Sequence, residues 1–166
     1  MSATALLQRS VRRITHKPRG RTHGMVTRLM SPGDLGQRLK PFVFLDLFDN
    51  GLFDNGGKPF TGFGLYPHSG IATLTYMAQG TVSYEDTNGA TGLLPEGGVE
   101  WMRAGNGVWH GGGAGEPGRA WGFQLWVALP PHRSCPSSWC RFVMLRRHSS
   151  AGRRRWNCVW CDGRHR

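Results

Sequence analysis

The stretch YPHSGIATLTYMAQGTVSYEDTNG, residues 66–89, decides the fold class of this chain. Residues 70–80 alternate their side chains with the period of two that is typical of a strand, and residues 81–86 form a second β-prone run. Asn88-Gly89 then supplies the dipeptide that most strongly favours a tight hairpin turn. The stretch therefore predicts a strand, a second strand and a hairpin, with no helical period.

The same alternation of short strands and turns is predicted on both sides of this stretch. A turn-rich loop is expected at 50–64, a single helical turn at most at 33–39, and an edge strand running into a loop at 9–23. The remaining strands are predicted at residues 41–49, 90–94, 99–102, 108–110 and 123–129. Short strands separated by turns about every 8–12 residues indicate an all-β sandwich or barrel.

Charge and cysteine divide the chain into two parts. The chain has 166 residues and a formal net charge of +11, but residues 132–166 carry +8 of it and all four cysteines. Residues 1–131 carry only +3, which does not suggest a nucleic-acid partner for this part. We therefore expect one domain over 1–131, followed by an irregular Arg/Cys/Trp-rich tail over 132–166.

Two histidines of the domain stand next to predicted strands. His68 stands just before the strand at 70–80, and His110 stands at the end of the strand predicted at 108–110. In a small β-barrel, two such histidines from separate strands can point into one cavity, as the ligands of a metal ion must. The alternative is that each is a surface histidine or a satisfied core histidine.

Several separated motifs, in order, give the domain a family resemblance. They are RSVRRI at 9–14, FVFLDLFD at 42–49, Pro67-His68-Ser69-Gly70, Trp101-Met102 with Ala104-Gly105, Gly107 and His110, and Gln124-Leu125-Trp126. This pattern resembles the N-terminal domain of the pirin family of cupins over about residues 9–131. The resemblance implies a cupin jelly-roll, the first of the two barrels of a pirin-type bicupin.

The resemblance also implies a metal site. Pirins resemble metal-binding cupins that hold one divalent ion, iron or similar, with three histidines and a glutamate. Two of these ligands fall on His68 and His110, whereas Tyr66 stands at the first histidine position and Gly112 at the glutamate position. Tyr66 and His68 are two residues apart and share a face of a strand, so the predicted metal ligands are His68, His110 and Tyr66. Glu100 and Glu116 are alternative carboxylates.

The resemblance leaves the activity open. Some bacterial members are similar to quercetin 2,3-dioxygenases, which implies a metal-dependent oxidoreductase acting on a small aromatic substrate. The incomplete ligand set favours no enzymatic activity, and a redox-linked or regulatory role with a protein partner is the other implied function. A non-catalytic interaction or binding module, or an inactive truncated pirin, is the alternative. We assign Trp101, Trp109, Trp121 and Trp126 to barrel packing.

The tail admits three interpretations. The spacing Cys135-x4-Cys140 and Cys158-x2-Cys161 is compatible with zinc in a reducing compartment. Arginine runs with interleaved Trp156 and Trp160 would suit a disordered nucleic-acid-binding tail. The favoured interpretation is a shifted reading frame after Pro131, because the segment has nine Arg, no Lys and no Glu.

Composition also bears on location and association. No apolar run approaches the roughly 20 residues that span a bilayer, and the first residues lack a secretory hydrophobic segment, so we expect a cytoplasmic protein without membrane contact. Without a second barrel, one face of the strand at 123–129 would be exposed. We therefore expect the chain to associate with itself.

Overall fold

A computed structural model describes residues 13–52, 62–130, 139–148 and 154–161 of the chain. Their regular structure is almost entirely antiparallel strand, with one π-helical turn at Pro32–Gly36 and one 3-10 turn at Asn50–Leu52. The all-β prediction is confirmed. The strands are β1 Arg21–His23, β2 Val26–Met30, β3 Phe42–Asp49, β4 Phe63–His68, β5 Ile71–Gln79, β6 Val82–Asp86, β7 Thr91–Leu94, β8 Val99–Ala104, β9 Val108–Gly112, β10 Trp121–Ala128, β11 Trp139–His148 and β12 Arg154–Cys161.

These strands form two sheets. Eight strands pair in the order β1-β2-β3-β10-β5-β8-β11-β12, and four pair in the order β4-β9-β6-β7. The hairpin expected at Asn88-Gly89 joins β6 to β7, and Gly89 has a φ of 85°, a left-handed conformation that glycine adopts without strain. Side chains from both sheets line the space between them, as in a sandwich or barrel.

Strand register arranges the inner side chains of the larger sheet in rows. Arg28, Asp46, Gln124, Thr75 and Glu100 are successive cross-strand neighbours on β2, β3, β10, β5 and β8. The next row includes Phe44, Trp126, Thr73 and Met102 in the same way. Because side chains alternate along a strand, the residues between these rows face outward.

Apolar packing is concentrated in two small clusters. Met77, Leu94 and Ala120 are buried together and contact Phe48, Val82 and Tyr84, all from strands that border the space between the sheets except Ala120, which precedes β10. A second cluster joins Met102, Ala104 and Val108. Both clusters hold the central strands in place around an interior that is left partly open.

Within residues 13–130 the structure differs from the sequence predictions at three strands. The edge strand running into a loop expected at 9–23 is wrong in its order, since residues 13–20 form no strand and β1 covers only Arg21–His23. β2 and β4 were not expected, and β4 overlaps the end of the loop expected at 50–64. β4 contains Gly64 and Pro67, which weaken its strand signal, but it lies at the edge of its sheet, where proline is tolerated. As a result His68 ends β4 as well as preceding β5, and His110 lies in the middle of β9 rather than at a strand end.

The described part of the tail is more regular than the expected irregular segment. β11 pairs antiparallel with β8 through residues 139–144, and β12 pairs with β11 through residues 154–161. Cys135 and Asp162 lie outside the described residues. No helix of the described residues is long and apolar enough to cross a membrane.

Candidate metal centre and ligand cavity

Pairing of β4 with β9 brings the three predicted site residues together. Tyr66 is the direct cross-strand neighbour of His110, and His68 lies two residues further along β4, on the same face as Tyr66. The ring centroids are 4.4 Å apart for Tyr66 and His110, 4.7 Å for His68 and His110, and 5.2 Å for Tyr66 and His68. Two imidazoles and a phenol therefore form one cluster.

His68 is the most enclosed member of this cluster. The residue is 3% exposed, and the ring of Trp126 stands perpendicular to its imidazole with a centroid distance of 4.4 Å. Its Nε2 is buried and makes no hydrogen bond within the described part of the chain. Burial lowers the pKa of His68 to about 4, so the imidazole is neutral at pH 7 and keeps a lone pair for a cation.

A cavity of about 300 Å³ opens beside the cluster, between the two sheets. Tyr66, His110 and Trp126 border it, whereas His68 lies behind these three rings. Its walls are largely apolar and aromatic. The aromatic side chains that line it besides Tyr66 and Trp126 are Phe48, Phe63 and Tyr84.

The inner polar row forms the opposite wall of this cavity. Arg28 binds Asp46 through two hydrogen bonds of 2.9 Å, and its guanidinium stacks 4.0 Å from the centroid of Phe44. This pairing raises the pKa of Arg28 and balances the charge of Asp46. Deeper in the row, Gln124 Nε2 donates to Thr75 Oγ1 over 3.2 Å, and Trp126 Nε1 donates to Gln124 Oε1 over 2.9 Å.

The candidate carboxylate ligands differ in whether they face the cavity beside the cluster. Gly112 supplies no side chain, and an ideally placed Cβ there would overlap the backbone carbonyl oxygen of Ser83 in β6. Glu100 is 4% exposed and borders the same cavity as Tyr66 and His110 from the opposite sheet. Glu116 instead accepts a hydrogen bond of 3.2 Å from Thr81 Oγ1. Of the two alternative carboxylates, Glu100 is therefore the one that faces the cavity.

These donors fit a divalent ion only as a reduced set. Two adjacent imidazoles are the nitrogen ligands that iron, nickel and zinc accept. Among the described residues, however, no group of three or more His, Cys, Asp and Glu side chains lies close enough to hold a metal ion. A bound ion would therefore depend on His68, His110, Tyr66 and water.

Two residues of the site were not identified from the sequence. Trp126, which was assigned to packing, lies against His68. Gln124 Oε1 accepts a hydrogen bond from the Trp126 indole N–H. Their spacing of two on a β-prone run does predict a shared face, but only the pairing of β10 with β5 shows that this face borders the cavity. Trp109, by contrast, is 52% exposed.

Comparison with known proteins agrees with this architecture. The structure is similar to a crystal structure of a quercetin 2,3-dioxygenase from Acinetobacter baumannii, with a TM-score of 0.57 and 28% sequence identity. The match covers 76% of this chain and 52% of that protein. The two-sheet fold is thus that of a cupin jelly-roll, as expected. The pirin family model matches residues 23–127, and the chain belongs to the pirin family.

Curated relatives place the match in one part of longer proteins. A pirin-like protein of Caulobacter vibrioides is 41% identical over 106 residues, which are 63% of this chain and 37% of that protein. A Pseudomonas aeruginosa protein provisionally named a quercetin 2,3-dioxygenase is 42% identical over 99 residues, which are 59% of this chain and 34% of that protein. The chain thus covers about a third of the length of these relatives.

Proposed function

We propose that this pirin-type cupin domain binds one divalent metal ion, iron in the first place, through His68 and His110, with Tyr66 as the third protein ligand. The observation that carries the proposal is the cluster of three rings with centroids 4.4–5.2 Å apart at one wall of the cavity. Tyr66 takes part only as phenolate, because neutral phenol is a poor ligand.

The residues around the cluster suit a small aromatic ligand. A metal ion held by His68, His110 and Tyr66 would supply Lewis-acid chemistry. The aromatic walls exclude water from a flat ligand, while Thr75, Gln124 and Glu100 present polar groups from the opposite sheet. The names of several relatives make quercetin the first probe, and a residual dioxygenase-type or redox-linked regulatory role would follow from its binding.

Metal titration with histidine variants tests this proposal. Purified protein should take up about one equivalent of Fe²⁺ under anaerobic conditions, measured by calorimetry and elemental analysis. His68→Ala and His110→Ala should each lose this binding, since each removes one of two nitrogen donors. His23→Ala is the matched control, because His23 lies exposed on β1 and should leave uptake unchanged.

Variants of Tyr66 separate the third ligand from the first two. Tyr66→His restores an imidazole and should strengthen Fe²⁺ binding by about tenfold, whereas Tyr66→Phe should weaken it. Wild-type protein that takes up no metal, or uptake that survives both histidine substitutions, would contradict the proposal.

A second candidate function is a ligand-binding module without chemistry. It is favoured by the missing third His, Cys, Asp or Glu donor among the described residues and by the closed position at Gly112. Metal-free protein would then bind an aromatic ligand such as quercetin as tightly as protein supplied with Fe²⁺. A ligand affinity that rises with Fe²⁺ would favour the first candidate.

A further inference from the structure

The orientation of the His68 imidazole depends on its ring neighbours. Trp126 and Tyr66 stand nearly perpendicular to it, at interplanar angles of 86° and 83°. Edge-to-face contacts of this kind hold one ring at a defined angle to the next. His68 Nε2 makes no hydrogen bond within the described residues. The ring contacts, and not a hydrogen bond at Nε2, therefore orient the imidazole.

Trp126 is itself held by a directional contact. Its indole N–H donates to Gln124 Oε1 over 2.9 Å, and Phe44 packs edge-on against it with a centroid distance of 5.0 Å. An indole N–H in a mostly apolar wall is costly to leave without a partner. The hydrogen bond therefore selects the indole orientation that presents the ring to His68.

Gln124 is fixed at both ends of its amide. Oε1 accepts from Trp126, and Nε2 donates over 3.2 Å to Thr75 Oγ1, on a residue that is 5% exposed. Rotation of the amide by half a turn would set its NH₂ group against the indole N–H. Because the indole N–H only donates, it determines that Gln124 Oε1 faces Trp126, and the Thr75 hydroxyl binds the other end of the amide.

We propose that Gln124 is a positioning residue for His68, acting through Trp126. It presents Trp126 in the orientation that holds the imidazole toward His110, so that both nitrogen donors serve one ion. This inference rests on the proposed function only where it concerns metal affinity. In metal-free protein it concerns the orientation of His68 alone.

The chain contains a matched control on the same strand. Trp121 Nε1 donates to Gln79 Oε1 over 3.0 Å, and these two residues are direct cross-strand neighbours on β10 and β5. This tryptophan–glutamine pair is exposed and does not border the cavity. Gln79→Leu therefore removes the same kind of hydrogen bond away from His68.

The first measurement uses metal-free protein. NMR spectra should show that Gln124→Leu shifts the His68 imidazole signals and the Trp126 indole N–H signal, whereas Gln79→Leu leaves the His68 signals in place. Thr75→Val removes only the hydrogen bond at Gln124 Nε2. It should shift the His68 and Trp126 signals in the same direction, but by less. If Gln124→Leu fails to fold, Thr75→Val carries the test. His68 signals that are unchanged by both substitutions would overturn the inference.

The second measurement uses Fe²⁺ affinity. Gln124→Leu should weaken binding by about fivefold, the effect expected from losing one neutral hydrogen bond that supports a ligand. Gln79→Leu should have no effect. In a Trp126→Phe background, which lacks the indole N–H, Gln124→Leu should weaken binding no further.

The two proposals fail in distinguishable ways. Wild-type protein that binds no Fe²⁺ would reject the metal proposal, and the metal-free NMR comparison would still decide the role of Gln124. Conversely, Fe²⁺ binding that falls as much with Gln79→Leu as with Gln124→Leu, or a full effect of Gln124→Leu in the Trp126→Phe background, would reject the positioning role alone.

Discussion

At the scale of single residues, the neutral state of His68 has a cost that depends on pH. An unfolded chain exposes this imidazole, which then titrates near 6.5, whereas burial lowers the pKa of His68 in the folded protein to about 4. Between these two values the unfolded state binds a proton that the folded state does not. The same burial that keeps the lone pair available for a cation therefore makes the fold sensitive to acid.

We predict that metal-free protein loses stability as the pH falls from 6.5 to 4, by up to about 3 kcal/mol from His68. Above pH 6.5, His68 should contribute no pH dependence to the free energy of unfolding. Urea unfolding of wild-type protein and of His68→Gln across this range measures the effect, because glutamine does not titrate. Parallel curves for the two proteins would show that His68 is charged in the fold and would contradict its buried, neutral state.

The three ring residues were predicted from sequence as a group, with Glu100 as an alternative carboxylate, whereas Trp126 was assigned to packing. The alternation rule places Tyr66 and His68 on one face, and the motif order relates both to His110. Trp126 and Glu100 come from the other sheet, so their approach depends on how two sheets pack. That arrangement depends on contacts between residues far apart in sequence, which local patterns do not encode.

At the scale of elements, β5, β6 and β10 were predicted to within two residues, whereas β2 and β4 were missed. The predicted strands lie in the interior of their sheets or in a tight hairpin, where alternation and turn chemistry agree. β4 contains Gly64 and Pro67 and is held by its backbone pairing with β9. A strand stabilised mainly by its partner has little signal of its own.

The approach of β9 to β6 at Gly112 gives a prediction at this scale. A Cβ at position 112 would overlap the carbonyl oxygen of Ser83, which is backbone and cannot move without shifting β6. Gly112→Ala should therefore destabilise the fold by about 1–3 kcal/mol, as overpacking does elsewhere. Thermal and urea unfolding would measure this loss.

Gly64 on β4 is the matched control for this substitution. The described residues leave nothing within 4 Å of a Cβ placed there, and its φ is not positive. Gly64→Ala should be neutral or slightly stabilising, because alanine loses less backbone entropy in a strand. Equal effects of the two substitutions would show that β6 and β9 are not closely packed at Gly112. A destabilised Gly112→Ala would also explain why a carboxylate cannot simply be restored at this position.

At the scale of the whole molecule, the outer face of the larger sheet carries an apolar patch on β3, β10 and β5. Gln124 and Trp126 border the cavity, so Phe123 and Leu125 face the other way. Phe123 lies between Leu47 and Tyr76 in register, and Leu125 lies between Leu45 and Leu74. These neighbours form a continuous apolar patch on which Tyr76 is 42% exposed. Patches of this kind are typical of association surfaces.

We predict that the chain self-associates through this outer face. Tyr76→Glu should shift the protein toward monomer, because a carboxylate in the centre of an apolar contact must be desolvated on association. Leu93→Glu is the matched control, since Leu93 is 51% exposed on β7 of the smaller sheet and its substitution adds the same charge elsewhere. Sedimentation velocity over a wide range of concentrations measures both variants. A wild-type chain that stays monomeric throughout and melts cooperatively would contradict the prediction, and so would an equal response of the two variants, which would assign the effect to net charge rather than to the outer face of β5 and β10.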